Sequence, residues 1–368
     1  MSVEPVKVGI VGCGYISGIY LQNGERLEAI DIVAGSDLIP ERAKLRAEEY
    51  GIRACTNEDI YSDPEIEIVL NLTTPDAHYE VAMEAIQAGK SVYNEKPLAI
   101  SLENGKKLVD AAANKKVLLG CAPDTFMGGG IQTCRKLIND GLIGEPVAAT
   151  AFMVCHGHES WHPDPDFYYK VGGGPMLDMG PYYLTALVNL IGPIRRVTGS
   201  ARITFPERTI TSAPKHGTKI EVEVPTHVAG VMDFHNGAIG TIITSFDVWG
   251  AHLPMIEIYG SEGTLSVPDP NAFSGPVKLL QAESEEWEQV PLSHGYAENS
   301  RGLGVADMAC ALRSGRAHRA NGDMAYHVLE AMYAFHTASE TGRAVELTSS
   351  CSRPESMPLG LIEGRLDS

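Results

Sequence analysis

The sequence predicts an α/β fold in two parts: an N-terminal Rossmann-type, doubly wound parallel sheet and a C-terminal α+β part with a large open, mostly antiparallel sheet. Three observations carry this expectation. Short apolar runs alternate with helical patterns from Val6 to about residue 122, a glycine-rich turn follows the first run, and beyond residue 123 the chain changes to successive β-branched runs. Strands alternating with helices imply parallel pairing with helices on both faces. At 368 residues the chain is long for one core and comfortable for two. The expected division is residues 1–122, residues 123–348 and an irregular tail, 349–368.

The elements follow in order. Val6–Val11 is a short apolar run that ends at glycine, as a buried parallel strand should. Further runs of this kind are Ile30–Ala34, Ile66–Leu72, Ser91–Tyr93 and Val117–Leu119. Between them, Ala77, Val81, Ala82, Ala85 and Ile86 repeat at helical spacing, and Gly89 suits the C′ position that ends that helix. Ser101 is placed to cap a helix carrying Leu102, Leu108 and Val109. After residue 123 the pattern gives a helix over 129–139, a strand over 147–156 and a helix over 178–191. Strand-like runs then cover 197–204, 219–224, 226–234, 238–248, 254–259 and 263–267. His235-Asn236-Gly237 carries the Asn-Gly pair of a tight hairpin. A last amphipathic helix is expected over 323–341. The tail is rich in Ser, Pro and Gly, and Ile362-Glu363-Gly364-Arg365 resembles a protease recognition sequence, so it stands outside the fold argument. Val228, Val231, Ile239 and Ile242 lie on strands with no evident cover, which predicts a homodimer or homotetramer formed through the C-terminal sheet.

Formal net charge is −18 at neutral pH, which disfavours nucleic-acid or membrane-surface partners because such a surface repels phosphate. The seven cysteines are odd in number, form no C-x-x-C and lie partly in apolar runs. That usage suits reduced, buried thiols in a cytoplasmic protein. The first residues lack a basic segment followed by an apolar core, so no signal peptide is expected, and no apolar run approaches the ~20 residues of a membrane helix.

Gly12-Cys13-Gly14-Tyr15-Ile16-Ser17 follows the first strand and opens a helix. Gly12 permits the tight turn, Gly14 allows a pyrophosphate to approach the backbone, and Ser17 takes the third small position of a dinucleotide fingerprint. Asp37 lies 25 residues beyond Gly12, after the second strand. A carboxylate there can accept both ribose hydroxyls and repels a 2′-phosphate, which favours NAD(H), with NADP(H) possible through the neighbouring Ser36. Thr73, Thr74 and Pro75 end a strand at the carboxyl edge of the sheet, where such folds bind ligands, and His78 follows at the same crevice.

Glu95-Lys96-Pro97 comes directly after the strand at Ser91–Asn94. Together with the glycine-rich turn, Thr74-Pro75-x-x-His78 and Gly172-Gly173-Gly174-x-x-x-Asp178-x-Gly180, it closely resembles the Gfo/Idh/MocA family over roughly residues 5–345. The resemblance implies redox chemistry on sugars or cyclitols and pairing through the open sheet. It also implies that Lys96 contacts both the nicotinamide ribose and the reacting hydroxyl, with Asp178 as the second motif's aspartate. The family often has histidine four residues beyond that aspartate; this chain has Tyr182.

The general base is therefore open at this point. Alcohol oxidation needs a proton acceptor within hydrogen-bond reach of the O–H. Tyr182 could serve if the Lys96 ammonium lowers its pKa, Lys96 could serve if burial lowers its own, or a different group such as His162 could act. The segment from His156 to Tyr169 holds three histidines and several carboxylates, yet its spacing is not that of a metal site, and hydride transfer to nicotinamide needs no metal. It suits carbohydrate better: Trp161 offers a flat apolar face and His162 a hydrogen bond, with Asp124 a further contact for a substrate hydroxyl. Two rival functions remain. One is a glycoside-cleaving enzyme that keeps NAD bound and oxidises transiently, as the resemblance allows. The other is a non-catalytic NAD(H) or sugar sensor, against which the set Lys96, Asp178 and Tyr182 argues.

Overall fold

The computed structural model describes residues 4–367. Its first layer is a six-stranded sheet of β1 (Val6–Val11), β2 (Ile30–Ser36), β3 (Arg53–Ala54), β4 (Ile68–Asn71), β5 (Ser91–Asn94) and β6 (Leu119–Cys121). The order is β3-β2-β1-β4-β5-β6 and every pairing is parallel. Helices α1 (Ser17–Gly24), α2 (Pro40–Tyr50), α3 (Asn57–Ser62), α4 (His78–Gln87) and α5 (Leu102–Lys115) make the crossovers. Strand order reverses between β1 and β4, and the carboxyl ends there open a crevice for ligands. Local chemistry sets the helix ends: Pro40 opens α2, Ser101 Oγ accepts the Asn104 N–H to cap α5, and Gly89 (φ +82) follows α4.

The second layer begins with α6 (Gly129–Asn139), β7 (Pro146–Val154) and α7 (Gly174–Leu190). Strands β8 (Ile194–Arg202), β9 (Glu207–Thr209), β10 (Lys219–Glu221), β11 (His227–Phe234), β12 (Ile239–Ser245), β13 (Ile256–Gly260) and β14 (Gly263–Val267) follow. The chain ends with β15 (Val277–Gln281), β16 (Glu288–Val290), α8 (Leu303–Ser314), α9 (Gly322–Thr341) and β17 (Val345–Glu346). Apart from the separate β9–β10 hairpin, these strands form one sheet, β16-β15-β14-β13-β7-β12-β11-β8-β17. Only β12 and β7 pair in parallel. Helices α7 and α9 cover one face.

The structure departs from the sequence reading in four places. Helix α7 starts four residues earlier than expected, because Pro175 suits a first turn. The strands β9, β15 and β16 and the helix α8 carry too little periodicity to stand out. Val228 and Ile242 are fully buried on the helix-covered face, since alternation sends only Val231 and Ile239 of the four to the open one. Among its described residues, 349–367, the tail holds no helix or strand, yet it is packed: Leu366 is buried, Glu28 N–H donates to the Gly364 carbonyl, and Arg365 pairs with Glu28. The segment Ile362–Arg365, set aside on sequence grounds, is thus part of the fold. Among the described residues no cysteine is in a disulfide. Among the described residues no helix is long and apolar enough to cross a membrane.

Candidate active site

The crevice is built first from the turn after β1. Gly12 has φ +98, and a Cβ there would lie 2.7 Å from the Leu72 backbone, so only glycine fits. A Cβ on Gly14 would meet nothing within 4 Å, which leaves its backbone open to a ligand at the start of α1. Ser17 Oγ donates to the Gly14 carbonyl at 2.7 Å, and Arg46 Nε donates to Ser17 Oγ at 3.1 Å. Tyr15 is almost fully exposed beside this turn and Ile16 half-buried. At the end of β2, the Asp37 carboxylate accepts the N–H groups of Cys13 and Ile39, each at 2.8 Å. That ties the acid to the glycine turn and orients it over the crevice. This geometry fits a dinucleotide: open backbone for the pyrophosphate and a fixed carboxylate for a ribose.

Thr73 Oγ1 donates to Asn71 Oδ1 at 2.6 Å after β4, with Thr74 exposed and Pro75 partly covered beyond it. His78 is fully buried, and its ring nitrogens face the carbonyls of Pro97 (2.7 Å) and Thr73 (3.1 Å). It braces the two strand ends against each other and presents nothing to the crevice. Asp124 behaves likewise: it is buried, and its Oδ2 accepts the Gly302 and Gly304 N–H groups at the start of α8. With Oδ2 committed to a helix N-terminus and the side chain 1% exposed, Asp124 has a structural role here and opens almost no surface for the expected hydroxyl contact.

Lys96 and Asp178 meet at the centre. Lys96 Nζ donates to Asp178 Oδ1 at 2.7 Å and to the Asp178 carbonyl at 2.9 Å. Pro181 lies within α7 and removes the N–H that would bond to the Leu177 carbonyl, loosening the turn that offers its backbone to Lys96. Behind Lys96, Glu95 accepts the Tyr20 hydroxyl at 2.8 Å and the Lys96 N–H at 3.0 Å. The Tyr182 ring lies 5.5 Å from Lys96 Nζ.

The electrostatics weigh against Lys96 or Tyr182 as the base, two of the options left open by the sequence. Burial pulls the Lys96 pKa down, but Asp178, Tyr182 and Glu95 outweigh it and hold the ammonium above its ordinary range. Burial pushes the Asp178 carboxyl up, and Lys96 and His158 bring it down to about 2. Burial raises the Tyr182 hydroxyl against the downward pull of Lys96 and Arg301. Lys96 is therefore an ammonium, Asp178 a carboxylate and Tyr182 a neutral phenol at physiological pH.

A loop after β7 closes the other side. Trp161 is 60% exposed, and the partly covered His162 accepts the Asp164 N–H on Nδ1 at 3.0 Å. Between them and Asp178 sits His158, which is buried and has its Nε2 3.5 Å from Asp178 Oδ2. The sequence reading did not single out His158; its one signal was membership of the histidine-rich loop. The loop is fixed from below: Arg208 of the β9–β10 hairpin pairs with Glu159 at 2.9 Å and Asp247 at 3.4 Å, and Tyr169 donates to Glu159 at 2.7 Å. Gly157 (φ +78) is required there, since a Cβ would lie 2.1 Å from Glu159 Oε2. Nothing in the local sequence marks Arg208, and Arg301, which donates to Asn271 at 2.9 Å beside Tyr182, is equally silent. Among the described residues no cluster of three His, Cys, Asp or Glu side chains is arranged to hold a metal.

The chain matches the description "Oxidoreductase family, NAD-binding Rossmann fold" over residues 6–122 and "GFO/IDH/MocA C-terminal domain" over 131–266. It is 34% identical over 148 residues to inositol 2-dehydrogenase/D-chiro-inositol 3-dehydrogenase of Lactiplantibacillus plantarum, a match spanning 38% of this chain but only 42% of that protein. Against 1,5-anhydro-D-fructose reductase of Ensifer adhaerens it is 28% identical over 346 residues, 92% of this chain and 98% of that protein. The fold is that of an NAD binding oxidoreductase from Klebsiella pneumoniae, with a TM-score of 0.82 at 22% identity over 94% of this chain and all of that one. With both parts matched in order, and the glycine turn and Lys96 at the crevice they share, the chain belongs to the Gfo/Idh/MocA family of NAD-binding oxidoreductases.

Proposed function

We propose that the protein is a dehydrogenase for a secondary alcohol of a sugar, cyclitol or glycoside, with NAD(H) the preferred cofactor. The Lys96–Asp178 ion pair carries this reading, because it sets a fixed ammonium between the dinucleotide crevice and an aromatic loop. Relatives named for inositols and for an anhydro-sugar support a cyclic polyhydroxy substrate. Residues 1–122 bind the dinucleotide, through Gly12 and Gly14 at the pyrophosphate and Asp37 at the adenosine ribose. Residues 123–348 shape the substrate site and assemble copies through the open sheet face. Nicotinamide, when bound, supplies the hydride acceptor or donor.

The chain's own part is polar. Lys96 donates a hydrogen bond to the reacting oxygen and stabilises the negative charge that gathers there as the O–H bond weakens. Asp178 keeps Lys96 aimed and charged. Tyr182, a neutral phenol, donates a second hydrogen bond to substrate, and Trp161 lies against the ring's C–H face. The test is a spectrophotometric screen of myo-inositol, scyllo-inositol and simple glycosides with NAD+ and NADP+, and of 1,5-anhydro-D-fructose with NADH and NADPH. Turnover with NAD(H) on at least one is expected. Bond cleavage without net NADH change would favour the glycoside-cleaving reading, and cofactor binding without any turnover a sensor.

A further inference from the structure

The three groups first in line to take the hydroxyl proton are all set against it. Lys96 is already protonated, Asp178 is held ionised by Lys96, and burial keeps the Tyr182 proton in place. A base works best when its protonation is balanced near the working pH, and none of these is. The one remaining imidazole on the Asp178 carboxylate is His158.

The geometry around that ring is specific. Asp178 divides its two oxygens: Oδ1 takes Lys96 at 2.7 Å and Oδ2 faces His158 Nε2 at 3.5 Å. Nε2 is buried and finds no well-formed hydrogen bond in the protein. The ring is held by Tyr168 at 4.2 Å, Phe246 at 4.6 Å and Trp161 at 5.3 Å between centroids, which fixes its plane. Beneath it, Gly157 and the Glu159–Arg208 pair fix the backbone on both sides of residue 158. A carboxylate that orients an imidazole and neutralises its cation is the arrangement that makes histidine an effective base.

We propose that His158 is the proton acceptor of the oxidation and the proton donor of the reverse reaction, a role that rests on the dehydrogenase reading above. In oxidation the alcohol O–H bond breaks and its proton passes to His158 Nδ1, the ring nitrogen turned away from Asp178, while Nε2–H faces the Asp178 carboxylate. Nicotinamide, when bound, would accept the C–H electron pair as hydride as the C=O bond forms. The imidazolium stands against Asp178, so the site gains no uncompensated charge. The titratable and charged groups around His158 are Asp178 with Lys96 behind it, the Tyr168 hydroxyl, His162, and Glu159 paired with Arg208.

The full-length protein tests this in two arms. In the kinetic arm, with myo-inositol and NAD+ or 1,5-anhydro-D-fructose and NADH, His158→Gln lowers kcat by about 10²–10⁴-fold with KM little changed. The acidic limb of the kcat–pH profile flattens in that variant and survives in Tyr182→Phe. NADH fluorescence and thermal melting of His158→Gln stay near wild type. In the second arm, histidine ring-carbon NMR of the protein without substrate identifies His158 by its loss in His158→Gln, and its chemical shift changes in Asp178→Asn, which alters the carboxylate that faces its Nε2. Near-normal kcat in His158→Gln, an unchanged acidic limb, or a His158 resonance indifferent to Asp178→Asn would each overturn the proposal. If wild-type protein turns over neither probe, the substrate reading fails on its own and the NMR arm decides whether His158 is coupled to Asp178.

Discussion

At Lys96 the Asp178 carboxylate, helped by Tyr182 and Glu95, offsets the burial of an ammonium, and that balance sets what each neighbour can do. Lys96→Met keeps the stem and removes the charge, so the fold should persist while turnover falls by about 10²–10⁴-fold. NADH binding, followed by fluorescence, should change far less, and near-normal turnover would remove Lys96 from the reaction. Tyr182→Phe should cost much less than Lys96→Met, because burial leaves that hydroxyl a hydrogen-bond donor and not a base. Asp37 is already held by two backbone N–H groups, so its carboxylate meets a ribose without reorganisation. Asp37→Ala should weaken NAD(H) by roughly 1–3 kcal/mol, the scale of lost charge-assisted hydrogen bonds, and raise the relative affinity for NADP(H). Isothermal titration with both cofactors measures this, and unchanged selectivity would count against the role.

Elements, not single residues, hold the loop after β7. Arg208 and Glu159 are both about nine-tenths buried, so removing one charge strands the other. Arg208→Met should destabilise by about 3–5 kcal/mol and lower turnover through a displaced His158, read as a fall in melting temperature together with kcat. Helix α9 carries a second buried device. His327 accepts the Ile194 N–H on Nε2 and faces Ser349 with Nδ1, and burial brings its pKa down to about 4. Its folded pKa lies below its unfolded value of about 6.5, so the unfolded chain binds the extra proton between them. The contribution is fully present above pH 6.5 and is lost as pH falls toward 4, at most about 3 kcal/mol. The His327→Asn variant should show a flatter melting-temperature profile across that window. These elements also show where the sequence speaks. The glycine turn, Asp37 and Lys96 are legible because each sits at a strand end whose apolar run is unmistakable. His158 and Arg208 are not, because their partners are Asp178, 20 residues on, and Glu159, on the far side of α7 and β8 in the chain. Spacing says nothing about such contacts.

At the scale of the whole molecule, the parallel sheet was readable from its buried runs, and most of the antiparallel one from its β-branched segments. The tail was not, because an irregular segment has no period: only the docking of Leu366 and the Gly364 carbonyl beside Glu28 reveals it as packed structure. The nine-stranded sheet raises the remaining question. Helices α7 and α9 cover one face, while Val231 (39% exposed) and Ile239 (52%) point from the other. Cross-strand register places Val231 opposite Thr241 and Ile239 opposite Asp233, so these residues share one surface with Phe152 and Tyr259 of the neighbouring strands. A broad face of this kind, mixing apolar and polar side chains with charges paired as Arg196 and Asp233 are, is rarely left to water in a monomer, and a second copy can cover it across a two-fold axis. We therefore expect a homodimer, or a homotetramer containing that dimer, at micromolar concentration by light scattering. Ile239→Lys places a charge at the face on a side chain already half in water, so the monomer should fold, and its mass should drop toward that of one chain. A wild-type protein that scatters as a monomer, or an Ile239→Lys variant with unchanged assembly, would move the interface away from this sheet.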